Sequence, residues 1–461
     1  MTARARLVPI VVGSPLFLQN LDTSVMATAL PSIADSLQVP PLHLNLAITS
    51  YLLSLAVFLP ISGWLADRLG AKRVFCMAIA FFALGSALCG AAQSLPQLVL
   101  FRVIQGLGGA MMVPVARLIL VRSVPAAMMV SAMVWFTVPP AIGRMMGPLV
   151  GGAIVTLASW RWIFLINIPF GILAILMAWA YLDDTPAPAE PAPFDARGFL
   201  LLALGLTASV GAMATVGKSL APVWVSLVIA ALGLLMLWAY TLHSRRTENP
   251  IIDLTILRYR TFRANVVGGI PMRVALGASP FLLPLMFQLG FGFTPLMSGA
   301  LIMAGAIGAL GTRVVMRGTI ARAGFRRAIL GATVLSGLLY MSYALFSPAT
   351  PLALMVCAIA FGGLVNSLSM ISLGALGFTQ VPNSRMSQAT TLGTMSQQLS
   401  ISFGVVLGAT LVSTTSWWHG GSATQLQARD FAPAFVVVGL VALLSLYSFW
   451  KLHPDEGAGM R

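Results

Sequence analysis

Stretches of about twenty apolar residues follow one another along most of the chain, and this repetition limits the fold more than any other feature. A helix needs about 20 apolar residues to cross the hydrocarbon core of a bilayer. Only 8% of the residues are charged and the mean hydropathy is +0.91, so we predict an all-α integral membrane protein. The fourteen predicted spans are 7–30, 45–66, 74–94, 98–121, 130–156, 161–182, 198–217, 221–242, 264–289, 295–316, 327–347, 351–378, 388–412 and 430–451.

Lysine and arginine residues are distributed unevenly over the connections between these spans. Nineteen of the 27 fall on the side of the N-terminus and three on the other side. Because such an excess marks the cytoplasmic face, we predict a multi-pass protein of the cell inner membrane with both termini in the cytoplasm. The net charge of +15 is therefore a topology signal and does not indicate nucleic-acid binding. The remaining five lie inside predicted spans: Arg102, Arg117, Arg144, Arg273 and Arg313.

Two linkers divide the chain. The segment 183–195 alternates proline with alanine and acids, which predicts an exposed, extended linker, and 243–263 is predicted to form a basic amphipathic helix on the cytoplasmic face. They bracket a pair of spans, 198–242. We predict an N-terminal six-helix bundle over 1–182, a linker with two extra transmembrane helices over 183–263, and a C-terminal six-helix bundle over 264–461.

The first six and the last six spans carry an internal repeat. The sequence "RLGAKR" (68–73) recurs as "RAGFRR" (322–327), each time between the second and third span of its half. Related six-span halves with a site between them are typical of secondary transporters.

Four motifs support this interpretation and specify it. They are "LDTSVMATALPSI" (21–33) in the first span, "GWLADRLGAKR" (63–73) after the second, "RVIQGLGGAMMVP" (102–114) in the fourth and "GRMMGPLVGG" (143–152) in the fifth. In order and position they resemble the motifs of the major facilitator superfamily, and within it those of the fourteen-spanner drug:proton antiporters. The resemblance covers essentially the whole chain. It implies the major facilitator fold, two six-helix bundles plus two extra central helices, and proton-coupled export of small molecules by alternating access.

The motif after the second span contains a predicted conformational lock, formed by Gly63, Asp67, Arg68, Gly70 and Arg73. The resemblance implies that the carboxylate of Asp67 holds the two halves together on the cytoplasmic side in one state. A solvated loop charge is the alternative. The second copy has Ala321 in place of the aspartate, so any such lock should depend on the first copy.

Arg102 in the fourth span needs a partner, because a buried arginine in lipid is costly unless it is paired. Of the twelve acids, only Asp22 falls well inside a span. It lies about 22 Å along the first helix at 1.5 Å per residue, a depth comparable to that of Arg102 counted from the opposite face. We predict an Asp22–Arg102 pair, and the resemblance ties the fourth-span arginine to proton movement. A static structural ion pair is the alternative.

The fifth span is predicted to be kinked and closely packed. Gly143, Gly147 and Gly151 are spaced by four and share one face, which admits a neighbouring helix closely. Pro148 lacks a backbone donor and kinks the helix, and Gly152 completes the motif. The resemblance implies that this stretch marks exporters, by sealing the interface between the bundles.

Arg144 lies about 100° around the helix from the glycine face and is predicted to point into a central cavity. Alternatively, it bonds freed carbonyls or shares Asp22. The predicted cavity is lined by Arg144, Arg117, Arg273, Tyr51, Met112, Phe281, Asn366 and Gln398. For methionines, ordinary packing is the alternative. No acid occurs between Asp253 and Asp430, so the interior charge favours an anionic or neutral substrate.

Other classes of function are less well supported by the residues. The spans contain no His-, Cys- or Ser-based constellation, so we do not expect an enzyme, and without a G-x-x-x-x-G-K-[ST] motif an ion gradient must drive transport. We expect no cofactor and no metal site, a monomer, and the lipid bilayer, protons and a small-molecule substrate as partners. An exporter of an organic anion or its metal chelate is the first alternative, and a membrane receptor or scaffold without transport is the second. The stretch 159–169 is predicted to anchor the sixth span without chemistry.

Overall fold

The computed structural model describes residues 3–124, 128–184, 193–215, 222–420, 426–453 and 456. Within these ranges the chain is almost entirely helical and contains no strand. The helices are α1 Ala3–Ser36, α2 Asn45–Phe58, α3 Ile61–Leu69, α4 Ala71–Ala91, α5 Leu95–Ser123, α6 Met129–Leu157, α7 Trp162–Leu165, α8 Asn167–Tyr181, α9 Ala196–Thr215, α10 Val223–Arg246, α11 Arg260–Arg263, α12 Ile270–Leu285, α13 Pro295–Ser342, α14 Leu352–Gly377, α15 Met386–Trp418 and α16 Ala428–Trp450.

The predicted all-helical membrane fold is confirmed. Thirteen helical segments of the described chain are long and apolar enough to cross a membrane. The 34-residue α1 is a further long helix beside them but does not belong to these thirteen. Two of the thirteen, Pro295–Met316 and Gly318–Leu345, belong to α13, which is broken at Gly324. The single amphipathic helix predicted over 243–263 is not formed. Instead α10 continues to Arg246, and irregular chain, a 3-10 turn and the short α11 follow.

The two copies of the repeated motif have the same backbone geometry. Gly70 (φ 89°) and Gly324 (φ 73°) both adopt a positive φ, which glycine tolerates without strain. Lys72 and Arg326 occupy equivalent positions in the two copies, and we call the end of the molecule where these copies lie the basic end.

Each copy also forms a hydrogen bond to the last helix of its own half. Lys72 Nζ donates to the carbonyl of Trp179, near the end of α8, at 3.3 Å, and Arg326 Nη2 donates to the carbonyl of Trp450, at the end of α16, at 2.8 Å. The last carbonyls of a helix have no partner within it, so a basic side chain there is favourable. The two copies of the motif are therefore similar in structure as well as in sequence.

At the opposite end the two halves pack against each other. One apolar core there contains side chains from both halves, among them Ile33 and Phe287. Gly152 of α6 lies against Pro295 of α13, and Gly299 of α13 lies against Pro148 of α6, so closely that a Cβ on either glycine would overlap the partner's carbonyl group. A hydrogen bond from Gln288 Nε2 to the Thr28 carbonyl, 3.0 Å long, also joins the halves.

At the basic end each half has a core of its own. One core contains Val74 and Ile119 of the first half, and another contains Ile329 and Phe449 of the second. A further cluster brings side chains from α2, α9 and α10 together with Met395 of α15. The halves therefore share the large core at the opposite end and meet again in this smaller cluster.

The two helices of the middle pair, α9 and α10, pack on each other, on α2 of the first half and on α15 of the second. Gly205 of α9 lies against Leu237 of α10, and the ring of Phe199 is 6.1 Å from that of Phe58 on α2. The large apolar side chains of α10 that point away from this contact are exposed, as expected for a helix that faces lipid. The boundaries predicted at 182 and 263 stay a prediction.

Asp195 joins the two ends of this pair. Its carboxylate accepts hydrogen bonds from the backbone N–H of Gly198 at 2.9 Å and of Ile251 at 3.2 Å, and its Oδ1 lies 2.8 Å from Nε2 of His243. Burial raises the pKa of Asp195, but these hydrogen bonds outweigh burial and the pKa lies below its usual value.

We expect Gly299→Val to hold α6 and α13 apart at the opposite end, because the new side chain has no room beside Pro148. In a cysteine-free background, Thr28→Cys should be shielded from a membrane-impermeant thiol reagent in the parent and labelled in the Gly299→Val variant. The matched control is Gly331→Val in the second span of α13, beyond the break at Gly324, where a Cβ would meet no atom within 4 Å. Equal labelling of the three proteins would contradict the close packing of the two halves.

Candidate functional site

The predicted ion pair between α1 and α5 is present. Arg102 Nη1 lies 2.6 Å from Asp22 Oδ2, and each side chain is about 1% exposed. The residues meet because α1 and α5 pack in the same half with both side chains turned inward. Since removing one partner of such a pair leaves an uncompensated buried charge, the two side chains hold each other in place.

Gln105 bridges the pair. It lies one turn after Arg102 on α5, so its side chain points to the same place. Its Oε1 accepts from Arg102 Nη1 at 2.7 Å, and its Nε2 donates to Asp22 Oδ1 at 2.9 Å. The guanidinium carbon of Arg102 also lies 4.8 Å from the centre of the Tyr51 ring and 5.3 Å from that of Phe164. These rings replace water around the cation.

A residue that the sequence analysis missed completes the network. Asn167, at the start of α8, donates from Nδ2 to Asp22 Oδ1 at 3.2 Å and to Ser86 Oγ at 2.9 Å. Ser86 in turn donates to the carbonyl of Phe164 at 2.9 Å. The segment 159–169, predicted as an anchor without chemistry, thus also contacts the charged pair through Asn167. The signal was available, because a buried polar residue inside a span is a functional candidate by default.

Two glycines bring the helices of this network together. A Cβ on Gly85 of α4 would lie 2.5 Å from the backbone nitrogen of Gln105, and one on Gly106 of α5 would lie 2.6 Å from Cβ of Ser54 on α2. Real Cβ atoms do not approach so closely, so α5 reaches these positions only with glycine there. Small residues allow the same close approach in other membrane proteins.

The glycine face of α6 packs on α1. Gly143, Gly147 and Gly151 lie against the chain around Phe17, Ser24 and Val25, respectively. Pro148 and Gly152 instead face α13 in the other half. One helix thus contacts both halves, and the interface that the motif was predicted to seal is formed by its last residues.

Arg144 belongs to the face of α6 that looks towards the second half. It precedes Pro148 by four residues, so the two side chains lie on one side of the helix. Its side chain is exposed, and Nη2 donates to Oδ1 of Asn20 on α1 at 2.9 Å. Asp22 is not its partner, because the hydrogen bonds of Asp22 in the described structure come from Arg102, Gln105 and Asn167.

The other predicted cavity residues divide into two groups. Arg117 is exposed, and Asn366 and Gln398 are half-buried. Four are buried in this conformation and do not line an open space: Arg273, Tyr51, Met112 and Phe281. Tyr51 packs under Arg102, as described above, and methionine packing at Met112 agrees with the alternative given for methionines.

Arg273 is bound within its own half. Its Nη1 donates to the carbonyl of Asn265 at 2.7 Å, and a second nitrogen contacts the side chain of the same asparagine. Residues 264–268 form a π-helical turn, which leaves carbonyls without their usual α-helical partners. The predicted cavity role is therefore corrected: in this conformation Arg273 satisfies an irregular turn of its own helix.

The predicted lock is not closed across the two halves in this conformation. Asp67 Oδ1 lies 3.2 Å from Arg122 Nη2 at the end of α5, in the same half, and Arg68 stacks 5.3 Å from the Trp64 ring. Arg73 is exposed, and a Cβ on Gly63 would meet no atom within 4 Å. Both Asp67 and Arg122 are partly exposed, so their pairing adds little to stability.

Comparison with known proteins assigns the family. The model of the Major Facilitator Superfamily matches residues 16–405. The chain belongs to the major facilitator superfamily. Within the described residues no cluster of His, Cys, Asp and Glu could hold a metal ion.

Relatives of this superfamily member are similar over almost their full length. It is 36% identical over 446 residues to the "Putative multidrug resistance protein MdtD" of Pectobacterium atrosepticum, covering 96% of this chain and 95% of the relative. The protein of the same name from Salmonella heidelberg is 36% identical over 458 residues, covering 98% and 95% of the two chains.

Solved structures share the fold with this superfamily member. The POT family transporter PepTSo superposes with a TM-score of 0.69 at 15% identity, covering 97% of this chain and 99% of that one. A D-xylose-proton symporter superposes with a TM-score of 0.68 at 14% identity, covering 98% of both chains.

We expect Arg102→Met to destabilise the protein by about 3–5 kcal/mol, because the Asp22 carboxylate then stays buried without its cation. The double variant Asp22→Asn/Arg102→Met should recover most of this loss, since no uncompensated charge remains. Thermal unfolding of the purified proteins in detergent measures both. A double variant that unfolds at or below the temperature of the single variant would contradict the electrostatic explanation.

Proposed function

We propose that this chain is a proton-coupled exporter of small molecules that works by alternating access. Membership of the superfamily and the names of the relatives support a transporter of the multidrug type. The buried Asp22–Arg102 pair is the observation that supports a proton as the coupling ion. Asp22 is the one acid of the described chain in the middle of a span, so it is the group that can carry a proton through the interior.

In this proposal Asp22 alternates between two partners. In the present conformation its carboxylate accepts hydrogen bonds from Arg102, Gln105 and Asn167 and needs no proton. When a movement of the halves shifts α1 against α5 within the first half and Arg102 withdraws, the buried carboxylate without its cation binds a proton instead. Alternation between the cation and the proton links the movement of the halves to the proton gradient.

The orientation of the protein in the membrane follows from the distribution of its basic residues. We propose that the basic end lies in the cytoplasm and that both termini are there, in a monomer of the inner membrane. The conformation described above, closed at the opposite end by α6 and α13, then faces the cytoplasm. In the other state the basic end closes, and Asp67 is the group proposed to hold it.

The charge of the space between the halves favours a second candidate substrate, an organic anion or its metal chelate. Arg144 and Arg117 are exposed, and we place them at the space between the halves; the side-chain hydrogen bond of Arg144 is to the neutral amide of Asn20. An arginine within a membrane span that is bonded to a neutral amide is a favourable site for a carboxylate. Drug-like molecules, which the names of the relatives suggest, remain the first candidate.

Asp22→Asn should abolish substrate accumulation driven by a pH gradient in proteoliposomes, while counterflow of labelled substrate continues, because counterflow needs no net proton movement. The control is Asp35→Asn, which removes the exposed acid at the other end of α1 and should leave both assays unchanged. Accumulation by the Asp22→Asn protein under a pH gradient alone would refute proton coupling through this residue.

Arg144→Gln should weaken the binding of anionic compounds by about tenfold to a hundredfold and leave neutral compounds unaffected. The magnitude corresponds to one lost hydrogen bond to a charged group, about 1.5–3 kcal/mol. Thermal-shift titration with anionic, neutral and cationic compounds measures it, and Arg313→Gln provides a control at another exposed arginine of the spans. Equal anion affinity in Arg144→Gln would exclude the anion site, and a variant that does not fold would show that Arg144 is structural.

A further inference from the structure

Asn167 reaches Asp22 from the sixth span through a hydrogen bond. All three side chains that hydrogen-bond to Asp22 do so as donors: Arg102 Nη1 at 2.6 Å, Gln105 Nε2 at 2.9 Å and Asn167 Nδ2 at 3.2 Å. A carboxylate accepts such bonds, whereas a protonated carboxyl group must also donate one. The network as it stands therefore suits the charged form of Asp22.

The neutral form needs an acceptor, and two amide oxygens are near. Gln105 Oε1 already accepts from Arg102 at 2.7 Å. Asn167 Oδ1 is fully buried and has no hydrogen-bond partner. An orphaned acceptor beside a proton-carrying group costs free energy in this state and is useful only if another state employs it. The titratable and charged groups around Asp22 are Tyr51 on α2, Cys89 on α4 and Arg102 on α5.

Rotation of the Asn167 amide by half a turn exchanges its oxygen and its nitrogen. In the observed structure, before any rotation, Nδ2 of Asn167 lies 2.9 Å from Ser86 Oγ, and Ser86 donates to the Phe164 carbonyl. A hydroxyl group can accept from an amide nitrogen or donate its one proton, so after the rotation Ser86 would donate to Oδ1 of Asn167 in place of the Phe164 carbonyl. After rotation, Oδ1 would face Asp22 and could accept its proton.

We propose that Asn167 is a positioning residue whose amide turns over when Asp22 is protonated, donating from Nδ2 to the carboxylate and accepting at Oδ1 from the neutral acid. The inference rests on the proposed function, since it requires Asp22 to carry a proton. Asn167 itself takes up no proton. It gives each form of Asp22 a matching hydrogen bond and so lowers the cost of interconverting them inside the protein.

The behaviour of the asparagine amide itself separates this role from a merely structural one. Asn167→Leu removes both a donor to the carboxylate and the acceptor offered to the neutral acid, so this variant does not distinguish the two roles. An amide that rotates changes its own hydrogen bonds together with the protonation of Asp22, whereas an amide that acts only as a donor keeps one orientation in both states.

Infrared difference spectroscopy between high and low pH tests the proposal on the purified full-length protein with isotope-labelled asparagine. We expect a band of a protonated carboxyl group that is lost in Asp22→Asn. An amide band, assigned by its loss in Asn167→Gln, should shift with the same midpoint. The control is Ser54→Ala, which removes the buried 2.8 Å hydrogen bond to the Val103 carbonyl without touching Asp22 and should leave the midpoint unchanged.

The outcomes separate the two proposals. A carboxyl band that titrates while the asparagine band stays constant would overturn the amide rotation and leave proton coupling intact. No Asp22 carboxyl band at any pH would overturn the proposed function itself. Because the band shift is measured in the wild-type protein, the test holds even where Asn167→Leu does not fold.

Discussion

The first half of this protein is organised around a buried ion pair in a place where water cannot compensate it. Asp22 and Arg102 are almost completely inaccessible, and each would be costly there alone. Their polar neighbours follow from this constraint. Gln105 bridges them, aromatic rings cover the guanidinium group, and Asn167 reaches the carboxylate from the sixth span. A polar centre of this kind requires α1, α2, α4, α5 and α8 to approach closely, which explains the glycines on α4 and α5.

The two copies of the internal repeat share their backbone geometry but differ in their ionisable residues. In both halves the motif turns at a glycine of positive φ and fastens the last helix through a basic side chain, Lys72 or Arg326. Only the first copy adds an acid, Asp67, where the second has Ala321. The charged centre is likewise in the first half, while Arg273 in the second is bound to its own helix. The scaffold is thus repeated and the ionisable groups are not.

Helix α6 links the charged centre to the contact between the halves. Its glycines pack on α1, which carries Asp22, and its last residues pack on α13 of the second half. Arg144 lies between these contacts, bound to Asn20 two residues from Asp22. A movement of the second half against α6 therefore acts on the helix that holds the buried acid. The proposed substrate site and the proposed proton site are neighbours on the same pair of helices.

Much of this architecture was determined by the sequence itself. The fourteen apolar segments, the single acid in the middle of a span and the need of Arg102 for that acid follow from residue order, because hydropathy and desolvation act on each helix separately. Tertiary structure decided which way each helix faces. It turned Asn167 towards Asp22, bound Arg273 to Asn265 and paired Asp67 with Arg122. The rotation of a helix about its axis depends on neighbours far away in the chain, in this protein on contacts at glycines of α4, α5 and α6, and no local pattern encodes those contacts.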